Sequence, residues 1–309
     1  MQLDAIDEVD EFADQQDDTL NLTVTYKPAI IKHKEIVDVS QAEKDVEIAR
    51  EEWDQLGPPS ERNSTVVAQT SVIFCNEVLN YFRRRNMEQY LKGIQPVRHR
   101  KGLDAFKHWF AGPPKLREDL IYDRNLFFAI ALCPFDSTED VHNRVLQTLY
   151  KFIIGTEKDC PRYGAHWEEL GFQGIDPGTD LRGVGFLGLL HLLYLAVNPA
   201  VTNLAREIYL LSRTERQNFP FCTMGINFSR IVMEAMREEV LNRECNRKMD
   251  IFKVTNDFYV GIFLRFFLIW RDQNKTIMDS GYVIKGLTAY AKKHSSVILK
   301  ELYTYLNEK

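Results

Sequence analysis

The 309 residues contain no C-x-x-C pair, no G-x-x-x-x-G-K-[ST] loop, no H-E-x-x-H and no G-x-S-x-G elbow. Phosphate-loop NTPases, zinc peptidases and serine hydrolases each build their chemistry on one of those spacings, so all three are excluded. Cysteine is scarce and scattered: five residues, at Cys75, Cys133, Cys160, Cys222 and Cys245. An odd number without pairing pattern fits a reduced compartment rather than a disulfide framework. The seven histidines share no ligand spacing, so neither a metal nor another cofactor is expected. Long apolar runs are also missing. Residues 183–197, and 259–270 with Arg265 inside, fall short of the roughly 18–20 residues of a membrane span. The start, MQLDAIDEVDEF, lacks the basic and apolar regions of a leader. A soluble chain without a membrane span is expected.

Basic residues are few at the start. Residues 1–60 hold 16 acids against 5 bases, and the remainder 28 against 34. A mildly basic body suits an acidic protein partner and leaves peripheral membrane contact open. No dense basic stripe exists, so no nucleic-acid partner is expected. The clusters Arg83–Arg85 and Arg98–Lys101 read as solvated surface. Strand alternation is nearly absent after residue 60, and helical periodicity takes its place.

The expected organisation is an acidic, largely disordered region over 1–62, with a short surface helix at Ala42–Gln55, then an all-α domain over 63–309. About eight helices are predicted in the body. A first carries Val67, Phe74, Val78 and Phe82; others span 116–132, 183–197, 202–213, 226–243, 251–272, 280–293 and 295–307. Ser137-Thr138-Glu139-Asp140 reads as a capping box for a helix whose inner face is Val141, Val145, Leu149, Phe152 and Ile153.

Gly183, Gly185 and Gly188 imitate the dinucleotide fingerprint G-x-G-x-x-G. The preceding GIDPGTDLR is no strand, and no βαβ unit follows, so the context that fingerprint requires is missing. These glycines instead suit close packing at the start of a buried helix, capped by Thr179 or Asp180, with Phe186, Leu189, Leu190 and Leu193 inward. His191 on that helix reads as a core histidine. Cys160 and His166 are placed to meet as a thiol–imidazole pair, but no third group to orient them is evident.

By composition alone an arginine in such a turn, here Arg182, is structural, because mid-chain arginines usually pair or cap; the pattern around it is more specific. Trp167 to Gly185, WEELGFQGIDPGTDLRGVG, resembles the defining motif of the ELMO domain family, W-x-x-x-G-F-Q-x-x-x-P-x-T-D-x-R-G-x-G followed by a leucine-rich helix. Trp167, Gly171, Phe172, Gln173, Pro177, Thr179, Asp180, Arg182, Gly183 and Gly185 fill its fixed places. The likeness covers about 141–270, and FPFCTMGIN and LNRECNRK resemble one subtype of the short ELMO-domain-containing proteins. The resemblance implies a helical domain that activates GTP hydrolysis on GTP-bound Arf-like or Arf small GTPases. It implies that Arg182 is an arginine finger supplied in trans, and that the chain catalyses no reaction of its own. It further implies a cytoplasmic protein with cytoskeletal or ciliary association. Larger engulfment scaffolds of the family lack that arginine; this chain keeps it. The alternative is a scaffold that holds such a GTPase, or a cytoskeletal complex, without accelerating hydrolysis.

A finger must be held rigidly yet stand clear of its own domain. Trp167 and Phe172 are expected to anchor the loop from beneath, with Gln173 bonding its backbone. Asp180 is left with two roles, pairing with Arg182 or capping the helix.

Overall fold

The computed structural model describes residues 69–308, apart from 104–105, 107–109 and 111. The expectations for 1–62, including the Ala42–Gln55 helix, and for Val67 lie outside the described residues. The described residues belong to one compact unit that starts at Gln69, and they contain no strand. The all-α reading is therefore what the structure shows.

The helices are α1 (Cys75–Arg84), α2 (Glu88–Leu91), α3 (Ile121–Leu132), α4 (Asp140–Ile154), α5 (His166–Glu169), α6 (Phe186–Val197), α7 (Thr202–Ser212), α8 (Phe221–Arg237), α9 (Asn242–Lys248), α10 (Ile251–Asp272), α11 (Ser280–Lys293) and α12 (Ser295–Asn307). Short 3-10 turns at Glu118–Leu120 and Ile277–Asp279 lead directly into α3 and α11, and one at Pro177–Leu181 lies in the loop before α6.

Two helices organise the rest. Every residue of α6 except Tyr194 is buried, as expected for a helix that is apolar on all sides. It is packed by α3, α4, α7 and α8. The longer α10 is covered by α3, α8 and α12. Its Asp250 carboxylate caps it by accepting from the Lys253 N–H at 2.9 Å. Between α8 and α10 the rings of Phe228, Phe263 and Phe266 meet edge to face and tilted, with centroids 4.8 to 6.2 Å apart.

The one charge inside the apolar run of α10 is paired, although its buried Nε has no hydrogen-bond partner among the described residues. Arg265, 3% exposed, donates to Glu301 of α12 at 2.7 Å, and its guanidinium lies 3.6 Å over the Tyr290 ring of α11. Three helices thus meet at one buried ion pair. At the other end of the unit, an extended strap runs along α4. Thr70 donates its N–H to Asp159 at 2.7 Å, Ile73 donates to the Thr148 hydroxyl at 3.0 Å, and Lys151 donates to the Thr70 carbonyl at 2.8 Å. The strap delivers α1, whose Phe82 packs edge-on against Phe186 at 5.2 Å. No single helix among the described residues is long and apolar enough to cross a membrane.

Several boundaries differ from the sequence reading. The expected 226–243 helix is two helices, because the chain turns at Glu239 with φ 66°. No glycine marks that left-handed turn, so nothing in the local sequence announces it. The capping box at 137–140 does not form. The N-cap of α4 is Glu139, without a side-chain bond, while Asp136 takes the N–H and hydroxyl of Thr138 at 2.9 and 2.7 Å. A capping box does form further on, between Thr276 and Asp279. Phe152 and Phe74 are turned outward, 38% and 47% exposed, and α4 buries His142, Thr148 and Lys151 instead. The basic clusters are not merely solvated. Arg83 pairs with Asp123 at 3.1 Å, Arg85 with Glu139 at 3.2 Å and Arg98 with Glu238 at 3.6 Å.

Candidate functional site

The motif stretch Trp167–Gly185 is a loop stitched between α5, α6 and α8. It starts on a buried ring. Trp167 is fully buried, donates its indole N–H to the Arg162 carbonyl at 3.0 Å, and meets Phe172 edge to face at 6.0 Å. Phe172 is also buried, so both rings sit beneath the loop. Trp167→Ala is expected to cost about 3–5 kcal/mol of folding stability, read from urea unfolding. A variant of unchanged stability that had lost partner binding would make Trp167 a contact residue rather than an anchor.

The loop then seals the start of α8. The orphan N–H groups of Cys222 and Thr223 donate to the carbonyls of Leu170 and Gly171, both at 3.0 Å, in place of a side-chain cap. Backbones approach so closely here that a Cβ on Gly171, which also has φ +84°, would stand 2.2 Å from the Phe221 nitrogen. Only glycine fits.

Farther along, Asp176 orders the 3-10 turn. It accepts from the Gly178 N–H at 2.9 Å and pairs with Arg162 at 2.8 Å, whose guanidinium stacks on Phe135 and Tyr163. The Thr179 hydroxyl donates to the Asp176 carbonyl at 2.8 Å. Asp180 accepts from the Gln173 backbone N–H at 2.6 Å, closing the loop on itself. Burial pushes the Asp180 carboxyl above its ordinary range, against the pull of the Gln173 N–H and the Thr179 hydroxyl; Arg182 is the weakest influence on it.

These contacts correct three expectations. Neither Thr179 nor Asp180 caps α6; its N-cap is Gly185, and no side chain caps it. Asp180 makes no ion pair with Arg182, because its carboxylate is turned to Gln173. Gln173 acts through its main-chain N–H, and its side chain is exposed.

The end of the motif is a tight turn. Gly185 donates to the Leu181 carbonyl at 2.7 Å, and Phe186 to the Cys133 carbonyl at 2.7 Å. A Cβ on Gly185 would lie 2.4 Å from the Ala131 carbonyl oxygen, so the start of α6 rests directly on the end of α3. Pro177, Leu181 and Val184 are buried, whereas Arg182 and Gly183 are exposed. The turn is held from both sides and presents one arginine. That guanidinium has no hydrogen bond or ion pair among the described residues. Sequence reasoning missed Arg230 of α8, whose Nη2 would be 3.9 Å from a Cβ on Gly183. It stands 48 residues beyond the motif arginine, and only the packing of α8 on the 3-10 turn brings it there.

The remaining candidates fall elsewhere. His191 is a buried core histidine, 3.0 Å from the Ser229 hydroxyl and stacked on Tyr259. Cys160 and His166 do not pair: Cys160 contacts Gln147, His166 contacts the Pro161 carbonyl, and burial pushes the Cys160 thiol up to about 11.

Comparison with known proteins bears on the same stretch. The profile of the ELMO/CED-12 family matches residues 125–284, which include the whole loop and α6 through α10. ELMO domain-containing protein 3 of Bos taurus is 47% identical over 261 residues, covering 84% of this chain and 68% of that protein. The protein of the same name from Homo sapiens is 46% identical over the same shares. ELMO domain-containing protein 2 of Mus musculus is 33% identical over 108 residues, 35% of this chain and 36% of that one. No solved structure gives a significant match.

Proposed function

The chain belongs to the ELMO/CED-12 family, and on that premise we propose that it activates GTP hydrolysis on a GTP-bound Arf-like or Arf small GTPase. Arg182 is the finger in this reading, inserted into the partner's nucleotide site, and the chain catalyses no reaction of its own. The single observation that carries the reading is the state of Arg182: exposed, without a hydrogen bond or ion pair among the described residues, on a turn fixed by buried Leu181 and Val184.

Phosphoryl transfer spreads charge over the oxygens of the transferring group, and a guanidinium placed against them stabilises the transition state by a factor of about 10³–10⁵ in rate. A pre-set geometry matters, since side-chain and loop freedom lost on docking would subtract from that gain. Here the turn is ordered before any partner arrives. Its backbone bonds to Leu181 and the seat of Gly185 on α3 leave only the Arg182 side chain to be fixed.

The test is single-turnover GTP hydrolysis by a panel of Arf and Arf-like proteins with the chain in excess. At least one member is expected to hydrolyse its GTP orders of magnitude faster than alone. Tight binding to the GTP-loaded form with no acceleration anywhere in the panel would replace the activator reading with the scaffold one.

A further inference from the structure

The exposed turn carries more positive charge than one finger. Arg230 stands on the same face of α8 as Thr223, two helical turns on, and Thr223 is the residue that bonds the loop at the Gly171 carbonyl, 2.8 Å away. From there its guanidinium lies over Gly183, at 3.9 Å from where a Cβ would stand. Like Arg182 it is exposed and makes no hydrogen bond or ion pair among the described residues. Neither acid of the 3-10 turn pairs with them: Asp176 is bonded to Arg162 at 2.8 Å, and Asp180 to the Gln173 N–H at 2.6 Å. Two guanidinium groups of like charge, one on the turn and one on the helix packed against it, repel each other in the free protein. An oxyanion of multiple charge removes that repulsion and gives each fork its acceptors.

We infer that Arg230 is a second phosphate-oxygen contact, forming with Arg182 a two-guanidinium cradle for the polyphosphate of the partner's nucleotide. The inference rests on the activator reading for its source of phosphate. The two arginines divide the work. Arg230 comes from a helix and meets oxygens already charged in the ground state, so it contributes to binding. Arg182 answers the charge that develops during transfer.

Two measurements test the cradle. Inorganic tripolyphosphate titrated into the full chain, followed by NMR, should bind weakly at this turn. Arg230→Ala should weaken it several-fold, Arg182→Ala by less, and Arg230→Lys should keep most of it. In stimulated hydrolysis, Arg230→Ala should raise the half-saturating concentration by about tenfold or more and shift the maximal rate by no more than a few-fold. Arg182→Ala should show the opposite split. Both variants should melt with the parent, and Arg230→Gln, which retains the stem, covers the case in which alanine unsettles α8. Unchanged tripolyphosphate binding and unchanged half-saturation in Arg230→Ala would overturn the inference. Tripolyphosphate binding lost in Arg230→Ala, with no GTPase stimulated by the parent, would keep the cradle and remove the activator reading. Much tighter binding of inositol trisphosphate than of tripolyphosphate would assign the cradle to a lipid headgroup and overturn the nucleotide assignment.

Discussion

Replacing Arg182 with alanine is expected to cut stimulated GTP hydrolysis by about 10³-fold or more while affinity for the GTP-loaded partner stays within a few-fold. The asymmetry follows from when the contact is made: an interaction realised only in the transition state lowers the rate and leaves ground-state binding alone. Arg182→Lys should rescue little, because an ammonium has no planar fork to reach two oxygens at once. Folding should be indifferent to either change. Arg182 is exposed and bonds to nothing among the described residues, and substitutions at such positions stay within about 0.5 kcal/mol. Near wild-type stimulation by a folded Arg182→Ala protein would remove the finger.

Acid should unfold this protein well before its carboxylates are protonated. His142 and His191 are both fully buried, and burial is the leading cause that lowers them, to about 4 and about 3. Geometry says the same. The ring Nδ1 of His142 accepts from the Asp136 N–H at 3.0 Å, which a protonated nitrogen cannot do. The Ser229 hydroxyl donates to the Gly225 carbonyl, so His191 Nδ1 is the donor to Ser229, and its Nε2 is left without a partner. Folding therefore keeps both imidazoles neutral, while in the unfolded chain each takes a proton near pH 6.5. Stability is whole above pH 6.5 and falls on acidification by about 1.4 kcal/mol per pH unit for each histidine, until the folded values near 4 and 3 are reached. Two such losses over two units are comparable to the whole stability of a typical domain, about 5–15 kcal/mol. Carboxyls held low by hydrogen bonds, such as Asp136 and Asp279, add their loss only at lower pH. Asp180, raised by burial, opposes the trend by taking up its proton first in the folded state. Urea midpoints measured from pH 7 to 4.5 should fall steeply; a flat profile would mean the two rings are not neutral in the fold.

The helical class was legible because apolar residues recur at 3.6 spacing through long segments. α6 stood out because it is apolar all round, and α10 because Arg265 alone interrupts its 259–270 run. Turns were much less legible. Glu239 and Met249 take left-handed conformations without the glycine that would mark them, so the turn after α8 fell inside the expected 226–243 helix. The motif's anchors could be foreseen from ring size, but the bonds that close the loop could not. Asp180 reaches a main-chain N–H seven residues back, and the start of α8 is sealed by carbonyls rather than side chains. Arg182 was visible through the pattern around it. Arg230 was invisible, since one arginine on a helix face looks like any other until a distant turn is laid against it.

The buried pair of Arg265 and Glu301 separates two kinds of border that are easily taken for one. The family profile ends at residue 284, yet Arg265 lies inside that segment while Glu301 and Tyr290, which hold its charge, lie beyond. A fragment trimmed to 125–284 keeps the cation and discards its counter-charge, a loss of about 3–5 kcal/mol for a buried pair. It also strips Phe82 from Phe186 at the other end. What the family profile covers is thus a smaller object than what packs together, and α1 and α12 support the motif loop from outside it.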